Sequence, residues 1–187
     1  MIAAPQFLTL AGKSRTIVSE GVWETMFDIL TIGAEVLRET AKPVDRFDEE
    51  LAALVERMFV TMKQGKGIGL AGPQVGLRDR IFVVHIDGDK PRVFINPEIV
   101  GTSTGLVSYE EGCLSIPGVY AELDRPEEIK VQAFNERGRP FVLEAQGLLA
   151  RVVQHELDHL NGVLFTDRLP ERQRDKVLKQ YEKRMRA

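Results

Sequence analysis

A His-Glu-x-x-His motif lies inside an apolar run that extends over residues 147–162, and few folds can accommodate it. Leucine and valine recur in this run at helical spacing, and Gly162 stands where a glycine often ends a helix. On a helix, His155 and His159 lie on one face, so both imidazoles can bind the same metal ion. Glu156 is placed to be a general base for a ligand bound there. The sequence therefore predicts a helix that carries two metal ligands.

A catalytic zinc-type site needs a third protein ligand and an open coordination position. No histidine follows His159, and the later acids Glu171 and Glu182 stand in a basic segment that disfavours a cation site. Cys113 is the better candidate: it is expected in a glycine-flanked loop before the motif helix, and metal binding gives the only cysteine of the chain a purpose. Two histidines, one cysteine and a neighbouring glutamate favour catalysis, since structural sites usually have four ligands and more cysteine.

Composition indicates one domain: the chain has 187 residues, 43% of them hydrophobic. No apolar run reaches the roughly 18 to 20 residues that cross a membrane, and no basic region of a signal peptide precedes the first apolar stretch. A single cysteine cannot form an internal disulfide, which favours a reducing compartment. We expect a cytoplasmic protein with an N-terminal extension over residues 1–25 and one catalytic domain over residues 26–187.

Charge is distributed unevenly along the chain. The net charge is −3, yet residues 168–187 contain eight Lys or Arg and three Asp or Glu. Pro170 begins a predicted last helix, whose apolar stripe includes Val177 and Met185. The sequence therefore predicts a basic terminal helix on an acidic body.

Periodicity predicts further elements upstream of the motif helix. A helix is expected after Asp48 as its N-cap, with Gly65 ending it. The glycine-rich segment at residues 67–76 is expected to be a loop, and it lacks the Lys-Ser/Thr of a phosphate-binding loop. Antiparallel strands are expected at residues 80–87, 92–96, 128–134 and 141–143, with a further short strand at residues 163–165.

Three motifs, in this order, resemble those of the peptide deformylase family: GIGLAGPQ at residues 67–74, EGCLS at residues 111–115 and QHELDH at residues 154–159. The similarity runs from about Met26 to the C-terminus. The visible departure is Gly72, where the family usually has alanine, and we expect the missing methyl to loosen this loop. The resemblance implies an α+β fold in which antiparallel β-sheets wrap around the central metal-binding helix.

The same resemblance implies the reaction, which is removal of the formyl group from the N-terminal formyl-methionine of newly synthesised proteins. Cys113, His155 and His159 would hold one divalent metal ion. Fe²⁺ is the expected ion in the cell, with Zn²⁺, Ni²⁺ and Co²⁺ as alternatives, because this ligand set suits several metals.

Site roles also follow from the resemblance. Glu156 would be the general base, while the Gln74 side chain and the Leu114 backbone N–H would stabilise charge on the formyl oxygen. Arg151 lies one turn before His155, and we expect it to extend to the pocket rim. The residues expected to contact the substrate are Ile68, Gly69, Gly112, Leu148 and Val152.

The expected partners are N-formyl-methionyl nascent peptides and, through the basic terminal helix, the ribosome near the exit tunnel. The helix could equally pack on the body with its charges in solvent, and the protein is expected to be a monomer. Alternative functions are an ordinary His-Glu-x-x-His peptidase, an RNA-binding protein with a structural metal, and an inactive deformylase relative. A peptidase would not need Cys113, and an RNA-binding protein would not need Glu156.

Overall fold

The computed structural model describes residues 15–18 and 22–186. Most of the predicted extension at residues 1–25 lies outside the described residues. The helices of the described part are α1 Glu49–Gln64, α2 Gly147–Leu160 and α3 Glu171–Met185. Its strands are β1 Arg15–Val18, β2 Val22–Thr25, β3 Gly69–Ala71, β4 Ile81–Val84, β5 Arg92–Thr102, β6 Leu106–Cys113, β7 Ile116–Pro126, β8 Glu128–Phe134 and β9 Pro140–Gln146.

Antiparallel pairing organises these strands into three sheets. The largest has five strands in the order β3-β4-β5-β8-β9, so β3 lies at one edge. Strands β6 and β7 form a separate hairpin, and β1 pairs with β2. None of the helices in the described residues is long and apolar enough to cross a membrane. The expected antiparallel α+β architecture is confirmed.

The five-stranded sheet is covered by a helix on each face, as strand β4 illustrates. Its alternating side chains point to opposite faces. Phe82 and Val84 pack in the core that contains Val153 of α2. Ile81 and Val83 pack in the core that α1 covers. Helix α2 is thus buried between this sheet and the β6–β7 hairpin, and most of its residues are inaccessible to solvent.

The ends of α1 and α2 follow the sequence signals. The Asp48 carboxylate accepts a hydrogen bond of 3.1 Å from the Leu51 N–H at the start of α1, and Gly65 ends this helix. Gly162 has a φ of +72° just after α2, where its N–H donates to the His159 carbonyl at 3.2 Å. Both predicted helices are therefore confirmed, together with their capping residues.

The strand predicted at residues 163–165 is wrong. The Val163 N–H donates to the Asp158 carbonyl at 2.9 Å, which completes the C-terminal cap of α2. The Leu164 N–H donates to the Asp167 carboxylate at 2.7 Å and begins a 3₁₀ turn at Phe165–Arg168. These donors are used locally, so they cannot join a sheet.

Two segments expected to be loops are more ordered than predicted. The glycine-rich segment contains β3 and a 3₁₀ turn, and a Cβ at Gly72 would lie 2.8 Å from the Asp79 carbonyl oxygen. The Asp79 carbonyl therefore occupies the space that an alanine methyl would need, and the absence of this methyl does not loosen the glycine-rich segment. Cys113, expected in a loop, ends strand β6 of the hairpin.

Candidate active site and metal centre

The β6–β7 hairpin and helix α2 bring the three predicted metal ligands together. Cys113 Sγ lies 3.1 Å from His159 Nε2. One ligand atom from each of Cys113, His155 and His159 falls within 4.8 Å of the others. A thiolate with two imidazoles is a suitable donor set for a first-row divalent metal. The geometry and chemistry of these residues therefore fit such an ion.

Glu111 orients the first of the two histidines. Its Oε2 lies 3.0 Å from His155 Nδ1, so Nε2 of that ring is left to face the ligand cluster. Metal-binding histidines commonly have such a carboxylate partner on the other ring nitrogen. Glu111 and Cys113 are two residues apart in β6, which places both side chains on one face of the strand. The role of Glu111 could not be predicted because strand β6 was not recognised from the sequence.

Buried ion pairs surround Glu111. Arg125 donates to both of its carboxylate oxygens, at 2.7 and 2.9 Å, and to Asp158 at 2.7 Å. Arg168 donates to both oxygens of the Asp158 carboxylate, sharing Oδ2 with Arg125. Arg151 lines the cavity but is buried and donates to Glu111 at 2.9 Å, so the expected extension of its charged end to the pocket rim is wrong. Its partner is 40 residues away in sequence, beyond the reach of any local pattern.

The pKa values of two carboxylates at the site, Glu111 and Glu156, are shifted in opposite directions. Burial opposes ionisation of Glu111, but hydrogen bonds from His155 and Arg125 outweigh it and hold its pKa well below the ordinary value. Burial raises the pKa of Glu156 to about 7 in the metal-free protein, and the nearby histidines only partly oppose the increase. Glu111 is thus a fixed anion, whereas Glu156 can take up and release a proton near neutrality.

Glu156 lies against the backbone of the edge strand β3. Its Oε2 is buried and has no hydrogen-bond partner among the described residues. A Cβ placed on Gly69 would lie 2.3 Å from Glu156 Oε1 and 2.8 Å from Val152 Cγ1. Only glycine fits between the strand and this carboxylate.

Gln74 directs its amide donors toward the ligand cluster. Its Oε1 accepts a hydrogen bond from the Ala71 N–H at 2.8 Å, which fixes the orientation of the amide. Its Nε2 lies 3.6 Å from Cys113 Sγ and 3.2 Å from Ser115 Oγ. The glycine-rich segment therefore presents a hydrogen-bond donor beside the predicted metal ligands.

A cavity of about 550 Å³ opens onto this cluster. All the residues expected to contact a substrate line it, together with Leu114, Gln74 and Glu156. Two exposed aromatic side chains of the hairpin, Tyr109 and Tyr120, also line the cavity and were not found from the sequence. Nothing in their local pattern distinguishes them from ordinary strand residues.

Comparison with known proteins decides the family. The family model described as "Polypeptide deformylase" matches residues 26–175. The chain belongs to this family. Deformylases are metal-dependent hydrolases that remove formyl groups from the N-termini of nascent peptides, and the function expected from the three motifs is confirmed. The alternatives of an ordinary peptidase and an RNA-binding protein lose their support.

Individual deformylases are similar over most of their length. The Peptide deformylase of Prochlorococcus marinus strain AS9601 is 45% identical over 176 residues, covering 89% of this chain and 88% of the relative. That of Neisseria gonorrhoeae is 47% identical over 161 residues, covering 85% and 96%.

Solved deformylase structures share the fold. The structure from Legionella pneumophila has a TM-score of 0.82 at 43% identity, covering 86% of this chain and 96% of that one. The structure from Synechococcus elongatus, in complex with actinonin, has a TM-score of 0.80 at 41% identity, covering 92% and 94%.

Proposed function

We propose that this deformylase acts on N-formyl-methionyl peptides at a centre where Cys113, His155 and His159 hold one divalent cation. The observation that carries the proposal is the convergence of these three ligand atoms within 4.8 Å. Fe²⁺ is the ion proposed for the cell, with Zn²⁺, Ni²⁺ and Co²⁺ as alternatives, since geometry alone does not select among them.

The residues around the centre have separate roles in the proposed reaction. The bound metal supplies Lewis acidity, which brings the ionisation of water near neutral pH. Glu156 accepts the proton of the attacking water and returns it to the leaving amine, a role supported by its buried oxygen, which has no partner among the described residues. The amide of Gln74 and the backbone N–H of Leu114 donate to the formyl oxygen as it gains charge.

The cavity walls support binding of an extended peptide. Strand β3 is the edge of its sheet, so the backbone of Gly69 can pair with a substrate strand. Gly112, on β6, lies along the other side of the cavity. Ile68, Leu148 and Val152 supply an apolar lining for the methionine side chain. We assign these five residues to substrate binding.

Formate release from a short N-formyl-methionyl peptide tests the proposal. Protein prepared without oxygen and loaded with Fe²⁺ or Zn²⁺ is compared with Glu156→Ala, which should keep its metal and lose at least ~100-fold in kcat. Glu144→Ala, at an exposed position on β9 outside the cavity, is the matched control and should keep full activity. A metal-loaded, folded wild-type protein that releases no formate would refute the assignment.

We further propose that the enzyme is a cytoplasmic monomer and that α3 contacts the ribosome near the emerging chain. Support comes from one exposed surface of α3 on which four cations, Arg172, Lys176, Lys179 and Lys183, outnumber a single acid, Asp175. Co-sedimentation with ribosomes tests it: reversing these four charges should abolish binding, and binding by the wild type should weaken as salt is raised. Equal binding by both proteins would contradict a role for α3.

A further inference from the structure

Arg151 joins three elements around the metal centre although it is not among the proposed ligands or catalytic residues. It lies on α2 one turn before His155, on the same face, and is 8% exposed. One guanidinium nitrogen donates to Glu111 Oε1 at 2.9 Å and to the Leu123 carbonyl at 2.7 Å. The other donates to the Val107 carbonyl. A single buried side chain thus connects α2 with both strands of the hairpin.

Arg151 also completes the hydrogen bonding of Glu111. Oε1 of this carboxylate accepts from Arg151 and, at 2.7 Å, from Arg125. Oε2 accepts from Arg125 at 2.9 Å and lies 3.0 Å from His155 Nδ1. A carboxylate has about four acceptor positions, so all of them are occupied. The rotation of the carboxylate is therefore fixed by donors from both sides.

We propose that Arg151 is a positioning residue for the metal centre. It fixes the rotation of the Glu111 carboxylate and, through Glu111, the direction in which His155 presents Nε2. This role rests on the proposed metal binding by Cys113, His155 and His159. Lysine cannot replace Arg151 fully, because a single ammonium does not reach a carboxylate and two carbonyls in the fixed planar geometry of a guanidinium.

Zinc affinity tests the role, with a second arginine as the matched control. Arg80 joins the opposite end of α2 to the sheet, donating to the Asn161 side chain at 2.9 Å and to the Pro97 carbonyl at 3.3 Å. Among the described residues it forms no salt bridge with a carboxylate, although Glu98 lies near enough to interact electrostatically. Arg151→Met should weaken Zn²⁺ binding, measured by competition with a chelator, by about 10-fold or more. Arg80→Met should lower the urea midpoint and leave zinc affinity unchanged.

The imidazole N–H signal of His155 gives a readout that a purely structural role would not alter. The chain has three histidines, so substitution of His85 leaves the ring N–H signals of His155 and His159. Of these two, only the His155 Nδ1–H is held by Glu111, so Glu111→Gln identifies the His155 signal. The Nδ1–H proton held by Glu111 should shift and exchange faster with water in Arg151→Met. In Arg80→Met it should keep its wild-type position.

Wild-type zinc affinity and an unchanged His155 signal in Arg151→Met would overturn the proposal, and so would an equal loss in both arginine variants. If Arg151→Met does not fold, Arg151→Lys and Arg80→Lys provide the same comparison, and equal affinities would again overturn it. A wild-type protein that binds no zinc would instead refute the metal centre itself. Zinc binding by the wild type thus tests the proposed metal site, and the comparison of the two arginine variants tests the positioning role of Arg151.

Discussion

At the scale of single residues, the contact between Gly69 and Glu156 restricts the site most tightly. Gly69→Ala would place a methyl carbon only 2.3 Å from Glu156 Oε1, which is too close for a non-bonded contact. The carboxylate must move, and a shift of about 1 Å in a catalytic group can cost roughly 100-fold in rate. We expect kcat for formate release to fall about 100-fold with metal content unchanged. Gly101→Ala is the control, since its new methyl would meet only an ordinary contact at 3.5 Å.

The Glu111 carboxylate gives a prediction about pH and stability. Its folded pKa is lowered, so its contribution to stability is complete above the ordinary value of 4.5 and is lost as pH falls toward the folded value. In the metal-free protein at pH 7, Glu111→Gln should lower the free energy of unfolding by about 3 to 5 kcal/mol. Urea unfolding at a series of pH values should show that the difference in free energy of unfolding between wild type and Glu111→Gln narrows only below the ordinary pKa of 4.5. A difference that stays constant into strong acid would contradict this assignment.

At the scale of elements, the helices and strands whose signals lie within a few neighbouring residues could be predicted from the sequence. The helical spacing of apolar residues in α2, the Asp48 cap of α1 and the alternation in β8 are encoded within a few residues of sequence. Strand β6 was missed because most of it is exposed, which removes the alternation of buried and exposed residues. Strand β7 does alternate, so its pattern could have been recognised from the sequence. The metal ligands were found through motif spacing, whereas the Glu111–Arg151 contact depends on the packing of distant elements.

The two ends of α2 provide a matched pair of glycines for an experiment. Gly147 and Gly162 have φ of +58° and +72°, so alanine at either should cost about 1 to 2 kcal/mol of stability. Gly162→Ala should cost a further ~1 to 3 kcal/mol, because its methyl would lie 2.6 Å from the Arg38 carbonyl oxygen, whereas no atom of the described residues lies within 4 Å of a methyl at Gly147. Chemical denaturation of both variants measures the difference. Equal losses would mean that the Arg38 backbone moves aside freely.

At the scale of the whole molecule, the proposed metal ligands come from two elements with different hydrophobic cores. Cys113 packs against the core of the hairpin and α3, while α2 packs against the five-stranded sheet. An ion bound by both must stabilise their arrangement. At a free metal concentration of 100 times Kd the gain is about 2.7 kcal/mol, which raises Tm by about 5 to 10 °C in a chain of this size.

Calorimetry of chelator-treated and zinc-loaded protein measures this shift. Cys113→Ala should remove it while the fold remains, because Cys113 is only partly buried. A zinc-dependent increase of the same size in Cys113→Ala would show that the thiol is not a ligand.

The bridge formed by Arg125 has a consequence for how the ion is exchanged. Arg125 binds Glu111, two residues before Cys113, and Asp158, one residue before His159. Protein groups alone therefore hold both ligand-bearing segments together. Zinc fingers unfold when their metal leaves, because the metal supplies most of their folding energy. We therefore expect this chain to stay folded when the proposed ion leaves, so that the metal supply of the cell would determine which ion the enzyme carries.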